Sequence, residues 1–341
     1  MKKYKLTNET IVHLGFTLYR IEALMDFSDV KTGDKGGFVQ SENNLSQLCN
    51  AWVYGNAKVY DNAKVYGNAK VYGDAEVYGN AKVYGDAEVY GDAEVFVDAK
   101  VFGNASVCGN AWVYGNAKVY DNAKVYDNAK VCGNASVFCD AKVYGNAMVY
   151  FDAKVCGDAE VYGRADVCGN AWVYGNAKVF DYAKVYNNAK VYGDAEVYGN
   201  AKVYGNAEVY GDAKVCGDAE VYGRAEVCGD AKVYKNSDYI VFKNWWSSGR
   251  YFTWTRSNKM WKVGCFYGNG EELIKKAYAD SEESGREYER VVRYVESILM
   301  MRMRKKTLLK ILRAWAWTTS AVARSLRTDL QTRMSQRRLM R

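Results

Sequence analysis

Few residues in this chain have the types and spacing that catalysis requires. Its 341 residues include a single histidine, His13. General acid–base catalysis near neutral pH depends on a group that titrates there, most often histidine. His13 lies far upstream of the repetitive segment described below, and we interpret it as structural. The sequence therefore predicts no catalytic residue and favours a non-enzymatic protein.

Candidate ligand-binding residues lie near the C-terminal end instead. Aromatic and basic side chains alternate in this segment, with Trp245, Trp246, Arg250 and Arg256 as the candidates. Such mixtures occur on surfaces that bind sugars or single-stranded nucleic acid. The alternative is that alternation on a small sheet buries about half of these side chains in a core.

The elements that position these residues follow from a six-residue repeat. The unit, roughly A-K-V-Y-G-N, occurs about 31 times between Ala51 and Ala231 without interruption. Because side chains alternate along a strand, Ala and Val share one side and the Lys/Glu and Tyr positions share the other. Gly followed by Asn or Asp is typical of a turn. Each unit is predicted to be a short strand and a corner, stacked into coils that bury Val and Ala.

This pattern resembles the bacterial hexapeptide repeat, in which an aliphatic residue is followed four positions later by a small one, as in Val53 and Ala57. The N-terminal stretch is similar to hexapeptide-repeat proteins of unknown function from bacterial and prophage genomes. Its matching residues are Asp29, Val30, Gly33, Gly36, Gly37, Phe38 and Val39. The resemblance implies a mainly β protein with the trimeric LpxA-like fold. That fold is a left-handed parallel β-helix of about ten coils, with 18 residues per coil and a homotrimer as its common assembly.

With 18 residues per coil, side chains stack only when they are 18 positions apart. Six cysteines occupy the Tyr position, and no two of them have that spacing; they are Cys108, Cys132, Cys156, Cys168, Cys216 and Cys228. Cys139 also lacks a partner at that spacing. We therefore expect isolated surface thiols, no metal site and no cofactor. The absence of a signal-peptide pattern and of a long apolar run predicts a cytoplasmic protein, in the host cell if the gene belongs to a phage.

One face is predicted to carry a lysine row at the 18-residue spacing, formed by Lys64, Lys82, Lys100 and Lys118. The aromatic residues Tyr66, Tyr84, Phe102 and Tyr120 lie beside it. Such a surface suits a polyanion or nucleic acid. A solvated face, with the rings acting as cross-strand pairs, is the alternative interpretation.

A longer repeat exists within the short one. Trp52, Trp112 and Trp172 recur at 60-residue intervals, which is three coils and one further hexad. Each copy is therefore predicted to lie on a different face. Copying of this kind scrambles any face-specific site but preserves a spacer.

The predicted domains are an N-terminal capping segment (1–50), the repeat (51–236), a small α+β domain (237–300) and a basic helical tail (301–341). In the α+β domain we expect strands at Tyr239–Lys243, Tyr251–Thr255 and Met260–Phe266, and helices at Glu271–Ala279 and Glu283–Met300. About 12 basic residues against one acid between Leu299 and Arg341 account for the net charge of +7. The tail suits nucleic acid or an anionic membrane, or is an extension without a role.

The sequence thus favours a structural or adaptor rod, encoded by a phage or prophage, with an unknown protein partner and recognition through its C-terminal domain. Two alternatives stay open. One is an acyltransferase-like enzyme, active or degenerate, since many hexapeptide proteins are acyltransferases with a catalytic histidine at a coil edge. The other is a nucleic-acid-binding module that uses the tail and the aromatic C-terminal domain.

Overall fold

A computed structural model of the chain describes residues 1–301 and 307–313. Two compact units are present: Met1–Asn244 with Gly249–Asn269, and Trp245–Ser248 with Gly270–Arg341 as far as that segment is described. The first unit is mainly β and contains a parallel β-solenoid of about 11 turns. The second contains the α-helices.

The solenoid consists of two-residue strands at six-residue intervals, from β4 (Trp52–Val53) to β34 (Lys232–Val233). Each strand pairs in parallel with the strand one coil later, as Lys100 does with Lys118 and Val101 with Val119. Three sheets result. We call them face 1 (from β5, Lys58–Val59, to β32, Glu220–Val221), face 2 (β4 to β34) and face 3 (from β6, Lys64–Val65, to β33, Glu226–Val227). The predicted 18-residue spacing is confirmed.

The core is a continuous stack of Ala and Val. Every repeat Ala and Val from Ala51 to Val233 is buried, and no polar residue between them is. Burial of one Val contributes about 1.5–3 kcal/mol before the entropy cost of ordering the chain is subtracted. The predicted inward face of the repeat is therefore confirmed.

Outward aromatic residues form ladders along the coils. Tyr66 and Tyr84 stack with centroids 4.8 Å apart and planes within 3°, and Tyr84 and Phe102 stack at 4.9 Å and 2°. Parallel rings at the strand spacing are cross-strand pairs that tie successive coils together. The interpretation of these rings as coil-to-coil contacts is confirmed.

The corners adopt a left-handed backbone. Gly115, for example, has φ +71°, and a Cβ there would lie 3.0 Å from the backbone nitrogen of Gly133. A few corners use other residues at the same φ, including Val97 and Phe151, whose side chains are largely exposed. Asp and Asn tolerate this conformation, whereas a β-branched Val is rarely found in it.

The N-terminal segment caps the first coil. Strands β1 (Tyr4–His13) and β2 (Phe16–Ala23) form a hairpin, and β2 pairs with β3 (Lys35–Val39). Strand β3 then pairs in parallel with β5, so the cap extends face 1. A short 3-10 helix, Glu42–Asn44, begins with a capping box at Ser41. The cap protects a sheet end that would otherwise expose unpaired backbone.

A four-stranded antiparallel sheet follows the solenoid: β35 (Tyr239–Lys243), β36 (Tyr251–Thr255), β37 (Trp261–Val263) and β38 (Phe266–Gly268). It is preceded by a second 3-10 helix, Asn236–Asp238. The first two strand predictions are confirmed. The third was wrong in extent, because a turn at Gly264, with φ +54°, divides the predicted Met260–Phe266 strand into β37 and β38.

Three helices are described in the second unit: α1 (Gly270–Asp280), α2 (282–301) and α3 (307–313). The first two confirm the sequence-based prediction. None of the helices within the described ranges has the length and apolar content needed to cross a bilayer. The basic tail lies outside the described residues except for 301 and 307–313, so its proposed binding of nucleic acid or membrane stays a prediction.

Candidate functional site

The four predicted ligand-binding residues have separate environments. Arg256 contacts Asp238 twice. Its backbone amide donates to Asp238 O at 2.7 Å, and its guanidinium lies 3.9 Å from Asp238 Oδ1. Trp245 and Trp246 are 69% and 74% exposed and belong to the helical unit. Arg250 begins the β36 region of the first unit and, alone among the four, lines the groove described next.

This groove, which we call the C-terminal groove, lies between face 3 of the last coils and the four-stranded sheet. Its volume is about 380 Å³. That is the lower end of the range typical of small-ligand sites. Its polar and aromatic lining consists of Asn206, Glu208, Arg224, Glu226, Arg250 and Tyr251. Sequence reasoning identified Arg250 and missed the repeat residues, because the fold alone brings the last coils against β36.

Arg224 and Tyr251 form the aromatic wall of the groove. The Arg224 guanidinium carbon lies 5.3 Å from the Tyr251 ring centroid, and Lys243 Nζ lies 5.7 Å from the same ring. An equivalent corner arginine, Arg164, stacks on Tyr182 at 5.5 Å. Arg164 stacks within the solenoid, whereas Arg224 takes its ring from the C-terminal sheet. The phrase "VYGRA" was a signal in the sequence that could have identified Arg224.

Two glutamates give the groove acidic groups opposite its arginines. Glu208 accepts hydrogen bonds from Lys190 Nζ at 3.1 Å and from the Tyr192 hydroxyl at 2.9 Å. Burial, together with that hydrogen bond to Glu208, raises the pKa of Tyr192, so its hydroxyl stays protonated at neutral pH. Glu226 Oε2 lies 3.7 Å from Lys262 Nζ, and the Glu226 amide donates to Thr253 Oγ1 at 3.0 Å. The groove therefore offers fixed acidic and basic groups beside an aromatic ring.

His13 contacts the solenoid, which corrects the expectation that it lies remote from the repeat. Its Nε2 is 2.9 Å from Glu76 Oε2 on face 1, and its ring packs edge-on against Tyr60 at 5.5 Å. Glu76 also accepts from Lys58 Nζ and from the Tyr60 hydroxyl, both at 3.0 Å. The hairpin turn brings His13 over the second coil, a placement that has no periodic signal in the sequence.

The electrostatics of this cluster favour a structural clamp. Burial opposes ionisation of Glu76, but the hydrogen bonds from Lys58, His13 and Tyr60 outweigh it and hold the pKa of Glu76 below its usual value. Conversely, burial and the Glu76 charge raise the pKa of Tyr60. His13 lines neither the C-terminal groove nor the groove at the start of face 3 described below. The cluster thus holds the hairpin to the solenoid through a carboxylate whose acceptors are already occupied.

The nine cysteines are free thiols. Cys216 and Cys228 are buried rather than exposed, which corrects the prediction of surface thiols for these two. Cys228 lies beneath the C-terminal sheet, where Tyr267 Oη is 3.5 Å from its carbonyl oxygen. Elsewhere a hydrogen bond to Cys108, with burial, raises the pKa of Tyr90 to about 12. No cluster of His, Cys, Asp and Glu among the described residues has the grouping needed to hold a metal ion.

Comparison of the chain with models of known protein families and with curated protein sequences found no match.

Proposed function

We propose that this chain is a non-enzymatic structural or adaptor rod whose C-terminal groove recognises a protein partner. The resemblance of its repeat supports the further proposals that it is a left-handed hexapeptide-repeat protein of the trimeric LpxA-like kind. From the same resemblance we propose that the chain is encoded by a phage or prophage, lies in the cytoplasm and assembles as a homotrimer.

The proposal rests on the faces and the exposure of the three copied tryptophans. Trp52 lies on face 2, Trp112 on face 1 and Trp172 on face 3. Trp52 is 1% exposed beneath Tyr4 and Phe27, whereas Trp112 and Trp172 are 36% and 42% exposed. The same sequence therefore lies on three different faces, and of its three tryptophans only Trp52 is buried. A duplication that changes every face retains length and rigidity and little else, which favours a spacer.

Recognition at the end of the rod is supported by the groove chemistry. The groove combines a guanidinium on an aromatic ring with fixed carboxylates, and arginine and tyrosine are enriched where proteins bind their partners tightly. The groove is built from the last coils and the sheet together. The sheet and the rod are therefore parts of one recognition element.

Affinity capture with the immobilised full chain from a lysate of its source organism tests both parts of the proposal. Arg224→Ala should abolish capture of the specific partner. Arg164→Ala is the matched control, since it removes the equivalent stacked arginine on the solenoid, and it should leave capture intact. Deleting residues 117–170, three complete coils, should also leave capture and the thermal melt intact. Loss of capture in the deletion variant would place the partner site on the removed coils and contradict a spacer.

An enzyme is the second candidate, because His13 is held beside a carboxylate at the edge of a coil. A histidine oriented by a carboxylate is one arrangement used for general base catalysis. Titration calorimetry with an acyl-coenzyme A separates the two proposals. A rod should bind none, whereas saturable binding that His13→Ala weakens without altering the melt would favour acyl transfer.

A further inference from the structure

The lysine row on face 3 differs from the seven solenoid lysines that form salt bridges with an acid. Lys64, Lys82, Lys100 and Lys118 pair in register with one another on four neighbouring strands of face 3. Elsewhere a Lys commonly stacks on an acid one coil away, as Lys202 does on Glu220 at 2.9 Å and Lys214 on Glu196 at 2.9 Å. No lysine of the row forms a salt bridge with another described residue.

Like charges directly opposite one another on neighbouring strands destabilise a sheet. Acids also lie at the corners beside the row: Asp86 accepts from Asn68 at 3.0 Å and Asp98 from Asn80 at 3.1 Å, whereas Asp61 lines the groove that contains Lys64. The strand positions of the row therefore place one lysine in each coil, at the strand spacing of about 4.8 Å, with no acid at the positions between them.

The aromatic ladder beside the row limits what can bind there. The rings from Tyr66 to Phe138 stack on one another with planes within 3°. Their faces are consequently occupied by neighbouring rings, and only their edges face outward. Single-stranded nucleic acid gains much of its affinity by stacking bases on ring faces, so this surface does not suit it.

A groove at the start of the row supplies neutral polar groups. Its volume is about 690 Å³, and its lining includes one carboxylate, Asp61, beside Ser41, Asn43, Asn62, Asn80, Lys64 and Lys82. Amide and hydroxyl groups beside a cation suit a ligand that carries hydroxyls as well as charge. Polyphosphate offers no hydroxyls along its length.

We propose that the lysine row binds a 1,4-linked acidic polysaccharide with one carboxylate per sugar. Each pyranose ring in such a chain advances by about the strand spacing, and successive rings are rotated about the chain axis, so the carboxylates that face the row meet every second or third lysine. Phosphates of polyphosphate are closer together than the lysines, and those of extended single-stranded nucleic acid are farther apart. The solenoid fixes the backbone positions of the lysines, which lowers the entropy cost of binding.

Binding of a defined hexuronate octamer to the full chain tests the proposal. Replacing Lys82, Lys100 and Lys118 together by Gln should weaken binding about tenfold or more, since the charge contacts along the row are lost. The matched control replaces Lys124, Lys178 and Lys232 on face 2 by Gln. It makes the same change in net charge, keeps the basic tail and should alter the dissociation constant less than about twofold. A neutral 1,4-linked glucan of equal length should not bind.

Equal weakening in the two triple variants would overturn the proposal, because binding would then depend on net charge alone. Tighter binding of polyphosphate or a DNA 20-mer than of hexuronate, lost in the face 3 variant, would overturn the assignment to a polysaccharide. All substituted side chains point outward, so both variants should fold. The face 3 variant should melt no lower than the parent protein, since it relieves repulsion. If the face 3 variant does not fold, hexuronate binding by the single variant Lys100→Gln is compared with binding by Lys124→Gln.

Discussion

Val125 lies in the Ala and Val stack near the middle of the solenoid, and replacing it by Asp tests the physics of that core. Its side chain is 0% exposed, and its strand partners are Val107 and Val143. No polar residue between Ala51 and Val233 is buried, so the interior offers an inserted carboxylate no partner.

The cost has three contributions. Loss of the buried Val costs about 1.5–3 kcal/mol. Raising the pKa of an Asp from about 3.9 to 7, so that it enters the core protonated, costs about 4 kcal/mol. The buried carboxylic acid then lacks hydrogen-bond partners, which costs about 1–3 kcal/mol more. The total of about 7–10 kcal/mol is comparable with the whole stability of a typical domain, 5–15 kcal/mol.

The pH dependence has a definite sign. In the Val125→Asp variant the folded-state pKa of the introduced carboxyl group is raised above its unfolded value, so the variant binds more protons folded than unfolded. Its stability relative to the parent is therefore greatest below about pH 4 and falls as the pH rises toward 7. The deficit should shrink by about 4 kcal/mol between pH 7 and pH 4.

Thermal and urea unfolding followed by circular dichroism at pH 7 and pH 4 gives the measurement. Lys124→Asp is the matched control, since the adjacent side chain on the same strand points outward, and it should change stability by less than about 1 kcal/mol. A soluble Val125→Asp variant with the parent's unfolding curve, or one destabilised equally at both pH values, would refute the reasoning.

Three further outcomes are expected. Glu76→Gln should speed hydrogen exchange in residues 4–23. In the parent protein exchange should also become faster as the pH falls through the pKa of Glu76, because a carboxylate with a lowered pKa stabilises the fold only while it is ionised. Unchanged exchange would contradict the clamp. Gly115→Val should lower the free energy of unfolding in urea by about 2 kcal/mol, and Gly115→Asn by less than half of that, because Asn tolerates positive φ. Equal losses of stability would show that the positive φ does not determine the residue at this corner. A thiol reagent should modify exposed Cys265 at least about tenfold faster than Cys228, whose pKa is raised by burial; equal rates would show that the C-terminal sheet does not cover Cys228.

Local periodicity made most of the solenoid predictable. Alternation with period two assigns Ala and Val to the inside, and the recurrence of Gly at every sixth residue places the corners. The antiparallel strand Tyr251–Thr255 and helix α1 were predictable for the same reason, since each carries its own local pattern. The division of Met260–Phe266 was missed because one glycine at positive φ interrupts a stretch whose other residues favour a strand.

The candidate site was predictable only in part. Arg250 was identified from its residue type, but Arg224 was not, because its partner Tyr251 lies 27 positions away and outside the repeat. His13 was placed remote from the repeat, although the structure brings it within hydrogen-bond distance of Glu76. Both contacts depend on how a non-repetitive segment packs against a coil.

The sequence by itself determined the strands, the corners, the inward Ala and Val, and the rotation of Trp52, Trp112 and Trp172 onto three faces. These features follow from side-chain alternation and from a constant period, which are properties of neighbouring residues. Tertiary structure alone decided that the hairpin closes over Glu76 and that β36 meets the last coils to form the C-terminal groove. Those contacts are long-range and occur once each, so no repeating pattern of residues records them.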